Sequence, residues 1–520
     1  MKTPTAEIRP LSVRDILRFF SPRWFIALMG TGALANILQV LAGGPSGGLH
    51  GAAVALLGLA LAGFPVALAL LGARWWIDRG LLLKEWAHSS LVQFYAAVFI
   101  AAAILVAGLV KIPLPALGAP DWPVALAKIL WGFALVGSVA TAVLVPWRII
   151  TLDHGEPRRL LGFWFLPPVG LFVVAFAGNF LALRLADPAW LRAMLAINTV
   201  LIGGAAVQAA ILFALVLFRG LAYPFPAADV VPSFTIGLAP VGVSIIAVLS
   251  HLAVLKAVAL PGLLALGTLA PVALAGALLL WGFGLWWLAV VALVVVRAAR
   301  TKGIPFSLGY WAFVFPPAAY ALATLLLAQA VGWAWLTTAG QILAGAVALG
   351  WMLVAALTLR GVFNRRVFAL PPSFREILPA TGTASGRIET HRLQDKYPVH
   401  SSRVAKRPGR SNAGELVAEL KRRIAAHGTA SHIGDFDHYT HTRGLGGEMA
   451  AGLVDARNVV FCFGPKIDDP KVLAVRPRAF GVAEYADHFV VSFLDAPAPA
   501  ANEAMRQWVD DLHVEAARPS

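Results

Sequence analysis

Residue types able to hold a metal ion gather most densely near the C-terminus, where His432, Asp435, Asp437, His438 and His441 fall within ten residues. Imidazole and carboxylate suit a divalent transition metal, and His438 and His441 would share a face at i, i+3 spacing on a helix. No flanking signature spacing accompanies them, so a polar loop or solvent-facing turn is the simpler expectation and no metal is predicted. The chain has no nucleophile elbow, phosphate loop or dinucleotide fingerprint. Its one cysteine, Cys462, excludes an intramolecular disulfide and a cysteine-based metal cluster. An enzyme is not expected, nor a cofactor.

A second titratable group, Lys128, His251 and Lys256, sits in strongly apolar surroundings. Snorkelling lysines and a hydrogen-bonded packing histidine need no function. A weakly basic lining would instead attract anions, and His251, as a side-chain type whose pKa can cross physiological pH, would be the proton relay of a coupled carrier.

What must position these residues is a membrane. Of 520 residues, 59% are hydrophobic and 13% charged, where soluble domains carry about 25% charged residues. Residues 1–370 hold 9 of the 27 acids and 23 of the 42 basic residues, while 371–520 hold 18 and 19. The positive excess therefore belongs to loops of the apolar part, and nucleic acid is not an expected partner. A spanning helix needs about 20 mostly apolar residues. Ten such runs lie near 24–42, 51–73, 91–110, 124–145, 160–183, 193–217, 233–257, 265–296, 309–331 and 336–359.

Ten spans put both termini on one side. Eighteen basic residues fall on that side and five (Lys111, Lys128, Arg184, Arg192, Lys256) on the other, so the positive-inside rule predicts cytoplasmic termini in a bacterial-type inner (plasma) membrane. Before the first span, Leu11, Val13, Ile16, Leu17 and Phe20 with Arg14 and Arg18 predict a short amphipathic surface helix capped by Ser12. Sixteen of the seventeen tryptophans precede residue 370, several at span ends, as in an interfacial aromatic belt.

No Asp or Glu falls inside the ten runs, which argues against carboxylate-driven proton or sodium coupling. Helix breakers favour the odd runs: Gly30 and Gly32; Pro167, Pro168 and Gly178; Pro240 and Gly242; Pro316. They are expected to kink helices that face a pore, since freed carbonyls are tolerated in lipid only beside protein or a water-filled cavity.

Four motifs then appear in order: Phe20-Ser-Pro-Arg-Trp-Phe25 leading to Met29-Gly-Thr-Gly32, Trp164-Phe-Leu-Pro-Pro168 followed by Ala177-Gly178, Pro232-Ser-Phe-Thr-Ile-Gly-Leu-Ala-Pro240, and Trp311-Ala-Phe-Val-Phe-Pro316. Over residues 15–365 the chain resembles the tellurite-resistance/dicarboxylate transporter family, which includes the plant guard-cell slow anion channels. The resemblance implies five helical hairpins around a central pore, odd helices inside and even helices outside, in protomers associated as trimers. It also implies a phenylalanine of the ninth helix plugging the pore. Phe315 takes that role, because plant members keep Phe before the proline and have an aromatic such as Tyr at the position of Phe313; Phe313 is the alternative. A bulky apolar ring at a constriction blocks hydrated ions sterically and by dewetting.

The expected organisation is an amphipathic segment (1–23), an all-α polytopic membrane domain (24–370), a linker (371–411) and a cytoplasmic α+β domain (412–520). In the linker, Arg403, Lys406, Arg407 and Arg410 read as solvated chain beside the membrane. In the last domain, Leu416, Leu420 and Ile424 predict a helix, Val459–Phe463 and Phe489–Phe493 strands, and Ala501–Leu512 a closing helix. Asp435-Phe-Asp-His438, Gly444 and Val459-Val-Phe-Cys-Phe-Gly464-Pro465 are similar to a small bacterial α+β family of unknown function. The expected activity is transport of small anions: inorganic ions, C4-dicarboxylates or tellurite-like oxyanions. The alternatives are a proton-coupled dicarboxylate or oxyanion carrier, and a membrane-tethered metal-dependent enzyme or sensor built on the tail.

Overall fold

The computed structural model describes residues 13–114, 121–153, 159–185, 187–257, 270–301, 303–364, 366–368, 388–393, 397–464, 470–496 and 498–514. Leu11, Ser12, Arg158, Lys302, Arg365 and Pro465 of the sequence reading lie outside them. The chain divides into two compact units, Met1–Ile377 and Leu378–Ser520.

The first unit is a multi-pass helical membrane protein. Its ten apolar helical runs are Trp24–Ala42, Gly47–Ile77, Val92–Lys111, Trp122–Thr151, Gly162–Ala182, Ala189–Ala222, Ala228–Ala257, Ala270–Thr301, Leu308–Val331 and Ala334–Phe363, hereafter the first to tenth spans. In their most apolar stretches the odd spans are 61 to 94% buried and the even spans 17 to 39%. The first span packs on the third, the third on the fifth, the fifth on the seventh, the seventh on the ninth and the ninth back on the first, closing a five-membered ring. Each even span forms a hairpin with the odd span before it and leans on the next odd span. The even spans thus make an outer sleeve, with Val200, Leu279 and Ile342 turned outward.

Small residues and indoles hold the two layers together. A Cβ on Gly242 would lie 2.5 Å from the carbonyl carbon of Ala319, so the seventh and ninth spans meet backbone to backbone. Indole N–H groups cross between spans: Trp131 donates to the Val174 carbonyl at 3.1 Å, Trp287 to the Phe234 carbonyl at 3.0 Å, and Trp351 to Thr31 Oγ1 at 3.0 Å. The tryptophan belt is joined by these buried staples, although Trp76 and Trp190 remain exposed.

The breakers act differently from the sequence expectation of kinks. Gly30 and Gly32 lie within the continuous helix Trp24–Ala42 and face Val314, Trp311 and Ile104, while Gly178 faces Trp131 and Asn198. They are close-approach points. Pro167 and Pro168 stand in the first turn of the helix Leu166–Ala182, Pro240 in that of Leu238–Ala257, and Pro316 in that of Phe315–Val331. There a missing N–H removes no intrahelical bond. Each of these helices is preceded by a 3-10 turn: Gly162–Phe165, Ala228–Gly237 and Leu308–Phe313. The third span likewise starts with Val92–Tyr95. The first starts with i to i+3 bonds from Trp24, Phe25 and Ile26 to Ser21, Pro22 and Arg23. The break is therefore a change of helix type.

Two charge expectations are corrected. The 3-10 turn extends the seventh span back to Ala228, so Asp229 falls inside it, 9% exposed. The second span runs on to Ile77, which buries Arg74 against Glu85 in a bidentate pair at 2.9 and 2.7 Å. Arg74 Nε also donates to the Arg18 carbonyl, and Arg18 pairs with Asp78 at 2.6 Å, tying the surface helix Val13–Phe19 to the bundle.

In the second unit, β1 (Ile388–Leu393), β2 (Tyr397–Ala405), β3 (Ala430–Asp437), β4 (Asp455–Phe463), β5 (Arg478–Glu484) and β6 (His488–Leu494) form one antiparallel sheet in the order β1-β2-β6-β5-β4-β3. The helices Ala413–Ala426 and Pro499–Val514 bury Leu416, Leu420, Met505 and Val509 in a core with Phe461, Phe480 and Phe489. β1 and β2 lie in the stretch expected as linker. They were missed because alternation there is mostly polar, with Val404 its main apolar anchor. Nor is the basic run all solvated. Arg410 is buried on Glu419 at 2.7 Å and Lys406 pairs with Glu484 at 2.6 Å, while Arg403 stays exposed.

Glu85→Gln leaves Arg74 buried without its counter-charge and should destabilise the first unit by roughly 3–5 kcal/mol, whereas joint conversion to Arg74→Leu and Glu85→Leu should recover most of the loss. Thermal unfolding in detergent reads both. In the second unit, burial opposes ionisation of Glu419, but bonds and charge from Arg410 and Arg423 outweigh it and hold the carboxyl below its ordinary 4.5. Its stabilisation is present above that value and is lost as pH falls through the lower folded pKa. Protection factors for the amides of Ala413–Ala426, measured against the intrinsic exchange rate at each pH, should fall on acidification, and Glu419→Gln should flatten that dependence while lowering protection at neutral pH.

Candidate functional site

The 3-10 geometry decides what the inner ring presents at one end. With three residues per turn, side chains at i and i+3 eclipse. Val230, Ser233 and Ile236 of the seventh span, and Gly309 and Ala312 of the ninth, accordingly line one cavity of about 30 Å³. Ile26, Phe94 and Phe163 bring the first, third and fifth spans to it, so every inner span contributes its starting turn. The same interval of three carries the ninth span from Gly309 and Ala312 to Phe315, its first α-helical residue, which is 3% exposed. Phe313 falls on another face, half-buried and edge-on to Tyr310 at 5.5 Å.

The cavity's polar lining is Arg23, Asp229, Ser233 and Ser307. Arg23 is 5% exposed and its Nε donates to Ser21 Oγ at 2.9 Å. Burial lowers its pKa to about 10, the charge of Glu85 raising it and that of Arg74 lowering it, so the guanidinium stays cationic at neutral pH. Ser307 Oγ accepts from the Gly309 N–H at 3.1 Å. Ser233 is 7% exposed, and its Oγ is buried with no hydrogen-bond partner.

The cationic candidates are not gathered here. Lys128 and Lys256 are exposed, on the fourth and seventh spans. His251 lies in the second half of the seventh span, its Nε2 3.1 Å from Thr199 Oγ1 and its Nδ1 3.3 Å from Asn179 Oδ1. Asn179 also receives Asn198 Nδ2 at 2.9 Å and donates to Ser250 Oγ at 3.1 Å. This network stitches the fifth, sixth and seventh spans together, away from the cavity. In the tail, His432 Nε2 sits 2.7 Å from Asp435 Oδ1, Asp437 caps the short helix His438–Gly444, and His438 and His441 lie edge-on to Phe436. Among the described residues no three His, Cys, Asp or Glu side chains are grouped to hold a metal ion.

Arg23, Asp229 and Ser233 were not singled out from sequence. The signal was present in the interval of three from Val230 to Ser233 to Ile236, which reads as noise when the segment is taken for an α-helix.

Residues 19–359 match the family described as voltage-dependent anion channel, and residues 388–514 match a family of unknown function. An uncharacterized transporter of Methanocaldococcus jannaschii is 26% identical over 360 residues, covering 68% of this chain and 96% of the relative. A protein of Trichophyton rubrum named as a sulfite efflux pump is 30% identical over 367 residues, covering 67% of this chain and 92% of the relative. One of the same name from Arthroderma benhamiae is 30% identical over 363 residues, covering 67% and 92%. The chain belongs to the voltage-dependent anion channel family, as the resemblance noted in the sequence implied, and to a group of transporters, not enzymes.

Proposed function

We propose that this family member passes small anions along the axis of its inner ring, with the Phe315 side chain as the stopper. The observation that carries the reading is the closed ring of five odd spans whose starting turns converge on one cavity, with Phe315 next in line on the ninth span. An apolar ring there blocks hydrated ions until it swings aside, and the 3-10 to α change directly before it supplies a flexible joint. A cationic guanidinium at the mouth raises the local anion concentration without requiring a tight site, as conduction needs.

The relatives named as sulfite efflux pumps favour small inorganic oxyanions as cargo. A proton-coupled carrier using His251 has less support, because that ring is engaged between spans and lies apart from the cavity. The charge distribution favours cytoplasmic termini in a plasma membrane, and the family resemblance favours a homotrimer.

In proteoliposomes at clamped voltage, Phe315→Ala should raise anion flux by roughly tenfold or more by removing the hydrophobic barrier, while Phe313→Ala stays within about twofold of wild type. The reverse ranking would assign the stopper to Phe313. No flux from either variant would remove the reading altogether.

A further inference from the structure

We propose that a groove between the second and tenth spans holds one acyl chain of an anionic phospholipid, drawn from the leaflet at the end of the bundle where the odd spans begin.

The shape of the groove matches one leaflet. The second span lines it from Leu59 to Leu70 and the tenth from Trp351 to Val362, each through positions i, i+4, i+7, i+8 and i+11, a single helix face. The first span, which packs against both, adds Trp24 and Leu28, and the surface helix Val13–Phe19 adds Ile16 and Leu17. Eleven residues at 1.5 Å rise make about 16 Å, close to half of the ~30 Å hydrocarbon core. Leu59 and Trp351 stand near the middle of their spans, while Leu70 and Val362 stand toward the end that bears the surface helix. The groove therefore runs from mid-membrane to headgroup level on one side.

Its lining selects hydrocarbon. The space is about 530 Å³, far more than a packing void. Its two hydroxyls are already spent. Thr31 donates to the Ala27 carbonyl at 2.8 Å and accepts from the Trp351 indole, and Thr358 donates to the Val354 carbonyl at 2.7 Å and accepts from the Trp311 indole at 3.1 Å. Buried water needs two to four polar partners, so a chain of methylenes is the fitting occupant.

Charge selects the headgroup. At this end Arg18 is paired with Asp78 and Arg74 with Glu85. Arg360, which follows Leu359 of the groove wall, is exposed and has no side-chain partner among the described residues. A phosphate at the mouth of the groove supplies its counter-charge, and a net anionic lipid is preferred over a zwitterionic one.

The test reconstitutes full-length protein in bilayers with a trace of phosphatidylglycerol or phosphatidylcholine carrying a diazirine halfway along one acyl chain. After irradiation, labelled positions are mapped by peptide mass spectrometry. Label from phosphatidylglycerol should concentrate on Leu59–Leu70 and Trp351–Val362 over the outward positions Val200 and Leu279. Val66→Trp, at a groove position 58% exposed and so open to a larger ring, should lower groove labelling about tenfold by taking the place of several methylenes. Arg360→Gln should lower labelling by phosphatidylglycerol about fivefold and leave that by phosphatidylcholine unchanged. Even labelling around the outer sleeve, or unaltered groove labelling in Val66→Trp, would overturn the site. Equal labelling of the wild-type groove by the two lipids would overturn the choice of headgroup. An unlabelled groove, with Val66→Trp instead dissociating an assembly seen by native mass spectrometry, would assign the groove to a second copy of the chain. Should Val66→Trp not fold, Leu359→Trp on the facing wall takes its place.

Discussion

In hydrocarbon every backbone N–H and C=O must find its partner within the protein, and the membrane unit follows from that constraint. Five even spans of largely apolar sequence keep most of their hydrogen bonds internal and form the outer layer, with Pro65 and Pro146 as internal interruptions. Behind them the five odd spans are free to be irregular. Their 3-10 starts, paired prolines and backbone-to-backbone approaches stand where other helices cover them. The 3-10 starts are thus confined to the inner layer, where neighbouring helices cover them.

The charged groups obey a similar economy. At the end of the bundle where the odd spans begin, Arg74 is neutralised by Glu85 and Arg18 by Asp78, while Arg23 and Asp229 both line the cavity. At the other end the network of Asn179, Asn198, Ser250 and His251 is polar and is built mainly from amides and hydroxyls. The two ends therefore join their helices differently: one through ion pairs, the other mainly through amides and hydroxyls.

The second unit solves a different problem. It buries an aromatic core between its sheet and two helices. Its strongest polar feature, Arg410 clasped by Glu419, closes the chain between β2 and the helix Ala413–Ala426. The residues that looked ready for a metal, His432 through His441, are occupied with each other, with a helix cap and with Phe436.

Span number and the existence of a folded tail were legible in the sequence because each depends on composition averaged over many residues, and averaging survives errors of a few positions. The split between odd and even spans came from single Gly and Pro residues and from the family resemblance. The four motifs carried the family because they were read in order between Phe20 and Pro316. What the sequence could not decide was the local helix type and its register. A shift from 3.6 to 3.0 residues per turn moves each side chain by about 20°. That small rotation determines which faces of the seventh and ninth spans meet the cavity and whether Asp229 counts as loop or span. Such differences are settled by which neighbours press against the helix, so they belong to the tertiary structure alone.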